Sequence, residues 1–309
     1  MALTLAESAK LSQDTLVQGV VQTIVSESPI LSRLPFMNIV GNGLAYNRES
    51  TLPAGAYFAV GATWTEATPT FTQVVTALKI LGKDSDVDQF IKKTRSNIQD
   101  IEAITLQETA KGVARTFEDS FLYGVAAGTD EFDGLHTLVP SGQTINLSAD
   151  ATPDPMTLTK LDEMIDLVKP GKPDLLLMSR RTRRGLSKYA RASSSPITFA
   201  PDDLGARAAF YDGIPIGVSD YQLDTETLTA GGVYSSKTGS TGSTVWALKF
   251  GEGLLAGLQG TDGIVVELIG ALETKDAQRH RVKWYVSLAL FNTLAAAALT
   301  GVGTADVAA

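Results

Sequence analysis

The sequence predicts an α+β fold in which extended segments surround a mixed core. Three observations point to it. Strand-like stretches flank one unusually long helical pattern at 94–124. Residues 155–255 alternate helix and strand. Two segments extend surface away from a core: 1–28, an amphipathic arm with one apolar stripe, and about 51–73, which has few large aliphatics.

The elements follow in order. Leu5, Leu11 or Leu16, Val20, Ile24 and Val25 recur at helical spacing over residues 3–28, and Pro29 stops the run. FMNIV and LAYNRES are predicted strands, with Gly41-Asn42-Gly43 as a hairpin turn between them. TLPAGAYFAVGATWTEATPTFTQ holds Pro53, Gly55, Gly61 and Pro69 and few large aliphatics, so it predicts a long hairpin or loop. Loops beyond about 12–15 residues are usually functional or disordered. VVTALKIL then returns as a strand.

The long helix carries Ile98, Ile101, Ile104, Val113, Phe117 and Phe121 on one stripe and ends at Gly124. Roughly thirty residues at 1.5 Å each span about 45 Å. Leu158, Leu161, Ile165 and Val168 mark a second helix, stopped at Lys169-Pro170-Gly171. DLLLMS is a buried strand, Ser179 caps the helix RRTRRGLSKYARA, and AAFYDGIPIGVSD is a hairpin. GGVYSSKTGSTGS reads as a flexible surface segment and STVWALKF as a strand. LLAGLQG and IVVELIGAL are strands with a turn at Asp262-Gly263, and HRVKWYVSLAL is the last.

Composition excludes several functions. The chain has 309 residues, no Cys and two His, so it has no thiolate metal site, disulfide or three-His zinc site. Its net charge of -8 argues against a general nucleic-acid binder. The N-terminus lacks the basic and apolar regions of a secretory signal. The most membrane-like stretch, Trp284 to Leu299, is short of the ~20 apolar residues a span needs, and its first half alternates as a strand does.

Specific catalytic motifs are absent: no P-loop, no GxSxG, no HExxH. His136 in EFDGLHTLV could be a general base, but a turn histidine in a structural hydrogen bond is the simpler expectation. His280 is expected on the polar face of a strand. Glu102, Glu108, Glu118 and Asp119 are expected on a solvated or subunit-facing side of the long helix rather than as an acid–base pair. Arg180, Arg181, Arg183, Arg184, Lys188 and Arg191 form the dense basic cluster, with Arg180, Arg184, Lys188 and Arg191 on one helical face. Phosphate binding, a contact with carboxylates of a neighbouring subunit and a plain solvated face all remain open, the second being favoured. The arm, the long hairpin and the over-long helix each extend surface away from a core, which implies an assembly of identical subunits.

The order of these segments resembles the HK97-type major capsid proteins of tailed bacteriophages. The hairpin Tyr46–Thr76, the helix Ser96–Tyr123, FDGLHTLV after it, YDGIPIGVSD and the closing HRVKWYVSLALFNTLAAAALTGV carry the resemblance. It implies an N-terminal arm over 1–40, an E-loop and flanking strands over 41–92, a peripheral domain over 93–150 with return strands over 256–309, and an axial domain over 151–255. It also implies hexamers and pentamers closing into an icosahedral shell around double-stranded DNA, with no enzymatic activity, cofactor, metal or membrane. Candidate inter-subunit contacts are Arg180, Arg184, Lys188, Arg191, Tyr57, Phe58 and Trp64. A charged, coiled-coil-like scaffolding segment is not found ahead of the arm, so a separate scaffolding protein is expected, with a portal and decoration proteins as further partners. Lys79 and Lys83 lie near the E-loop without a matching cross-link motif, so no covalent cross-link is expected. An encapsulin-like compartment holding cargo enzymes is the alternative within the same fold. A hydrolase using His136 is the alternative outside it.

Overall fold

The computed structural model describes residues 30–51, 53–90, 93, 101–192, 197–201 and 207–304. The expected helix over 3–28 and the first turns of the long helix, 94–100, lie outside them.

Four strands open the described chain: β1 (Phe36–Ile39), β2 (Gly43–Thr51), β3 (Thr70–Ala77) and β4 (Lys79–Asp88). Helices α1 (Ile101–Tyr123) and α2 (Leu135–Leu138) follow, then β5 (Thr144–Asn146) and α3 (Leu158–Leu167). After β6 (Leu175–Met178) come α4 (Arg180–Ala192), β7 (Ile197–Pro201), β8 (Arg207–Tyr211) and β9 (Ile214–Val218). Short β10 (Thr227–Leu228) and β11 (Tyr234–Ser236) lead to β12 (Val245–Leu248). The chain closes with β13 (Leu255–Ala271), β14 (Ala277–Leu290) and β15 (Ala296–Thr300).

The described strands form two main sheets. One has seven strands in the order β5-β15-β12-β6-β9-β8-β7, the other four in the order β1-β13-β14-β4. The middle of the larger sheet is covered on both faces, which is why LLLM, VWAL and AAALT are continuously apolar rather than alternating. Leu175, Leu177, Trp246, Leu248, Ala296 and Ala298 join the cluster built around α1. Leu176, Met178, Val245, Ala247, Ala297 and Leu299 join the cluster of Leu161, Met164 and Ile165 from α3. The Ala-rich stretch near the C-terminus is therefore a central strand. Among the described residues no helix is long and apolar enough to cross a membrane.

Helix α1 serves both sheets. Leu106, Ala110, Val113, Phe117 and Phe121 recur every three or four residues, and all are buried together with Val282, Trp284, Val286 and Leu288 of β14. Phe117 lies 5.0 Å from Trp284 and 5.6 Å from Phe132 between ring centroids. Ile104, expected on this stripe, is 40% exposed. It stands two residues from Leu106, so it is turned about 200° away. The helix stops where expected. A side chain at Gly124 would place its Cβ 2.3 Å from the Phe132 carbonyl oxygen, so only glycine lets the chain double back so tightly.

Several local expectations hold. Ser179 Oγ accepts from Thr182 N at 3.2 Å as the α4 cap, and β8 and β9 form the expected hairpin at Asp212-Gly213. Others need correction. Gly41-Asn42-Gly43 does not join a hairpin: β1 pairs in parallel with β13, and β2 pairs with β3. The reason lies in Phe36, whose ring sits over Gly257 and packs on Trp284 at 5.3 Å. Burial of that ring takes β1 to the four-stranded sheet. Asp262-Gly263 is not a turn between two strands either. It lies in a bulge of the single strand β13, between the pairs Gln259–Val286 and Ile264–Trp284. The segment expected to be flexible at 231–243 is tied down by β10–β11 pairing and by Tyr234 stacking on His136 at 3.6 Å.

Gly257→Ala tests the Phe36 contact. The new Cβ would meet the Phe36 ring at 2.3 Å, and we expect a loss of about 1–3 kcal/mol in urea unfolding. Pairing with Phe36→Leu should recover part of it.

Candidate functional site

The most chemically dense place in the molecule is a buried polar centre between the end of α1, α2 and the β10–β12 segment. Glu226 is fully buried. Its Oε1 accepts from Tyr123 Oη at 2.5 Å and Gln222 Nε2 at 2.7 Å, and its Oε2 accepts from Thr244 Oγ1 at 2.6 Å. His136 Nε2 lies 3.4 Å from the same carboxylate. The imidazole stacks on Tyr234 at 3.6 Å and lies roughly parallel to Tyr123 at 5.1 Å, with Trp246 at its edge. Gln222 passes the chain on, accepting from Trp246 Nε1 at 2.8 Å. Burial first, and then the Glu226 charge, push the Tyr123 hydroxyl well above the ordinary phenol range.

This arrangement reads as structural. Three donors already engage the Glu226 carboxylate, two on Oε1 and one on Oε2. The adjoining cavity of about 160 Å³ is lined by His136, Tyr234, Trp246, Ser141, Thr144 and Asn146, and none of its hydroxyls is paired to the imidazole as a nucleophile would be. His136 thus meets the structural expectation. His280 does not sit on a polar face. It is 4% exposed, with Nε2 2.7 Å from Glu102 Oε1 but out of line for a hydrogen bond. The four-stranded sheet puts it on the α1 side, together with Val282 and Trp284. Among the described residues no cluster of three or more His, Asp or Glu could hold a metal ion.

Glu118 also departs from expectation. Instead of facing solvent it is 3% exposed, because it lies one residue from Phe117 on the helix face turned to the β9 end. Its Oε1 accepts from Ser219 Oγ at 2.9 Å, and Ser219 Oγ in turn accepts from Tyr221 N at 3.1 Å. Burial pushes its pKa up to about 7; the Ser219 bond opposes this and the Asp220 charge adds to it. Glu108 is solvated as expected, and Asp119 pairs with Lys237.

The exposed candidates fall into two groups. In the first, β2 and β3 form a two-stranded ribbon whose connecting residues 53–69 carry no regular structure. Tyr57, Val60, Trp64, Phe71 and Val75 are all more than 60% exposed. Phe58 stacks on Trp64 at 4.5 Å, closing the tip on itself. In the second, the basic helix α4 is partly consumed within the chain. Arg180 makes a two-pronged pair with Asp220. Arg181 donates to the carbonyls of Thr241 at 2.9 Å and Val302 at 3.0 Å. Arg183 and Arg184 are exposed. Lys188 is exposed but has a partner, and the side chain of Arg191 lies outside the described residues.

Sequence reasoning missed Glu226, Gln222 and Tyr123, since YQLDTETLTA and SFLYG look like ordinary loop and helix-end text. No local signal marks a carboxylate whose partners lie 18, 90 and 103 residues away.

A sequence profile of the Phage capsid family matches residues 9–233. The chain belongs to the phage capsid family. Solved structures agree in fold. A chain of the SrpI encapsulin complex from Synechococcus elongatus is 18% identical, with TM-score 0.67, covering 91% of this chain and 89% of that one. The capsid of a native GTA particle is 14% identical with TM-score 0.62, covering 90% and 91%. The structure from Microbacterium phage Oxtober96 is 16% identical with TM-score 0.62, covering 89% and 90%. No curated protein matches the sequence. The capsid subunit is thus a structural protein of a virion shell, with the HK97-type fold expected from its segment order. Its polar centre pins helix to sheet, and the ribbon gathers five of its exposed large apolar side chains, with others at Val40, Ile80 and Phe90.

Glu118 gives this capsid subunit a measurable pH dependence. A carboxyl whose folded pKa is raised from 4.5 to about 7 stabilises most below pH 4.5, and that contribution falls away as pH rises to 7 and is flat above. Glu118→Gln should remove this fall and be the more stable form at pH 8, by about 1–3 kcal/mol in urea unfolding of the subunit. Below pH 4.5 the two should unfold alike.

Proposed function

We propose that this capsid subunit assembles into the hexamers and pentamers of an icosahedral shell enclosing double-stranded DNA, with its ribbon lapping over an adjoining copy. The observation that carries the reading is the uncovered apolar surface of the ribbon. A two-stranded ribbon is at best marginally stable alone in water, and this one presents Tyr57, Val60, Trp64, Phe71 and Val75 to solvent. Burying each such side chain contributes about 1.5–3 kcal/mol, and a closed shell repeats the contact in every subunit. On this reading residues 1–40 are the N-terminal arm and 41–92 the E-loop with its strands. Residues 93–150 and 256–309 are the peripheral domain, and 151–255 the axial domain.

Net charge supports the DNA-filled shell: at -8 the chain holds no general excess of cations to bind phosphates tightly. The same reading places assembly in the host cytoplasm, with a separate scaffolding protein, a portal and decoration proteins as partners. Arg184, Lys188 and Arg191, with Tyr57, Phe58 and Trp64, are its inter-subunit contacts; Arg180 contributes through its pair with Asp220. A compartment holding protein cargo is the second reading, favoured by the likeness to the encapsulin chain.

Expression of the whole chain with its scaffolding partner and negative-stain microscopy tests the reading. Closed shells tens of nanometres across are expected, and a persistent monomer would contradict it. Deleting 53–69 should abolish shells yet leave subunit stability within about 1 kcal/mol, since the segment builds no core. Particles purified from the natural source should carry nucleic acid, read by their ultraviolet absorbance ratio; protein cargo alone would favour the compartment.

A further inference from the structure

The ribbon leaves the body at one point. Strand β4 runs along β14 only as far as the Lys79–Val286 pair, and the chain before it departs through Leu78 into β3. Past Val286, therefore, no described strand pairs with the last residues of β14 on that side. Their carbonyls are met by side chains of β2 instead. Tyr46 Oη donates to the Leu290 carbonyl at 3.2 Å. Arg48 Nε donates to the Phe291 carbonyl at 3.2 Å, and Arg48 Nη2 donates to the Leu290 carbonyl and to Tyr46 Oη. The guanidinium also lies 5.5 Å from the Tyr46 ring centre, and that ring packs on Phe291 at 4.7 Å.

We infer that Arg48 is a positioning residue: it fixes the angle at which the ribbon projects, and through it the way one subunit meets the next. The inference rests on the proposed shell assembly. Two physical points support it. The apolar contacts at the root, among Leu44, Tyr46, Leu78 and Phe291, hold the ribbon in place but are not directional. A guanidinium reaching two successive carbonyls is directional, because its donors lie in one rigid plane. The lever is also long. Nine residues of β2 at ~3.4 Å each reach about 30 Å, so a 10° swing at the root moves the far end by about 5 Å. That shift exceeds the tolerance of any packed contact at the tip. Arg48 stands on the same face as Leu44 and Tyr46, the half-buried positions of β2, while Ala45, Asn47 and Glu49 face solvent.

The test uses the absence of native cysteine. Spin labels at Thr70→Cys, at the far end of the ribbon strands, and Asp166→Cys on α3 report the angle by pulsed electron resonance. The measurement is made on the dissociated full-length subunit, diluted with unlabelled chain. Arg48→Ala should at least double the width of the distance distribution. Arg48→Lys should give an intermediate width, and Tyr46→Phe a smaller increase. The subunit melting temperature should stay unchanged. Under assembly conditions Arg48→Ala should lower the yield of uniform closed shells at least tenfold. An unchanged width in Arg48→Ala would overturn the clamp, whatever the assembly does. A doubled width with normal uniform shells would overturn its role in assembly. If the parent chain itself forms no shells, the assembly reading falls and takes that role with it, while the widths still decide the clamp.

Discussion

The packing of the α1 stripe against Trp284 is the contact on which the rest of the subunit depends. Phe117 touches Trp284, Phe36, Phe132 and Phe121, and so joins β1, β14, the helix and the loop after it in one aromatic junction. The same cluster reaches Leu175, Leu177, Trp246 and Leu248 of the larger sheet. One helix therefore supplies core to two sheets that share no strand. Rings bury more area than any aliphatic and pack in set geometries, which lets so few residues fix the relation between the sheets.

The polar centre completes this junction at the other end of the helix. Tyr123, the last residue of α1, bonds to Glu226 and receives a hydrogen bond from Leu223 N at 3.1 Å. A buried carboxylate is costly unless it is hydrogen-bonded, and here Gln222, Thr244 and Tyr123 donate to it. Such a network adds direction where apolar packing has none. It defines which loop lies on the helix end. The outcome is a body with a continuous buried core, joined to a ribbon that leaves Tyr57, Trp64 and Phe71 exposed.

Much of this was legible in the sequence. The long helix, its stop at Gly124, the Ser179 cap and the Asp212-Gly213 hairpin all follow from local chemistry. The uncovered character of residues 53–69 followed from their lack of large aliphatics. What stayed hidden depends on distant partners. Gly41-Asn42-Gly43 has the composition of a hairpin turn, but burial of Phe36 over Gly257 decides where β1 goes. Asp262-Gly263 has the composition of a turn, but β14 runs unbroken beside it and turns it into a bulge. Glu118 looks like a solvated helix carboxylate because nothing nearby announces Ser219, 101 residues on. Arg48 is one of many exposed-looking arginines until Leu290 and Phe291 are brought beneath it.

The central claim is that the body holds its own core while the ribbon completes itself on other copies. Amide hydrogen exchange along 53–69, compared between dissociated subunits and assembled particles, addresses it most directly. Backbone without internal partners exchanges freely, and burial against a neighbour slows it. We expect fast exchange across 53–69 in the free subunit and strong protection in the particle, with the α1–Trp284 junction protected in both. Slow exchange of the ribbon tip in the free subunit, or equally fast exchange there in the particle, would contradict the account.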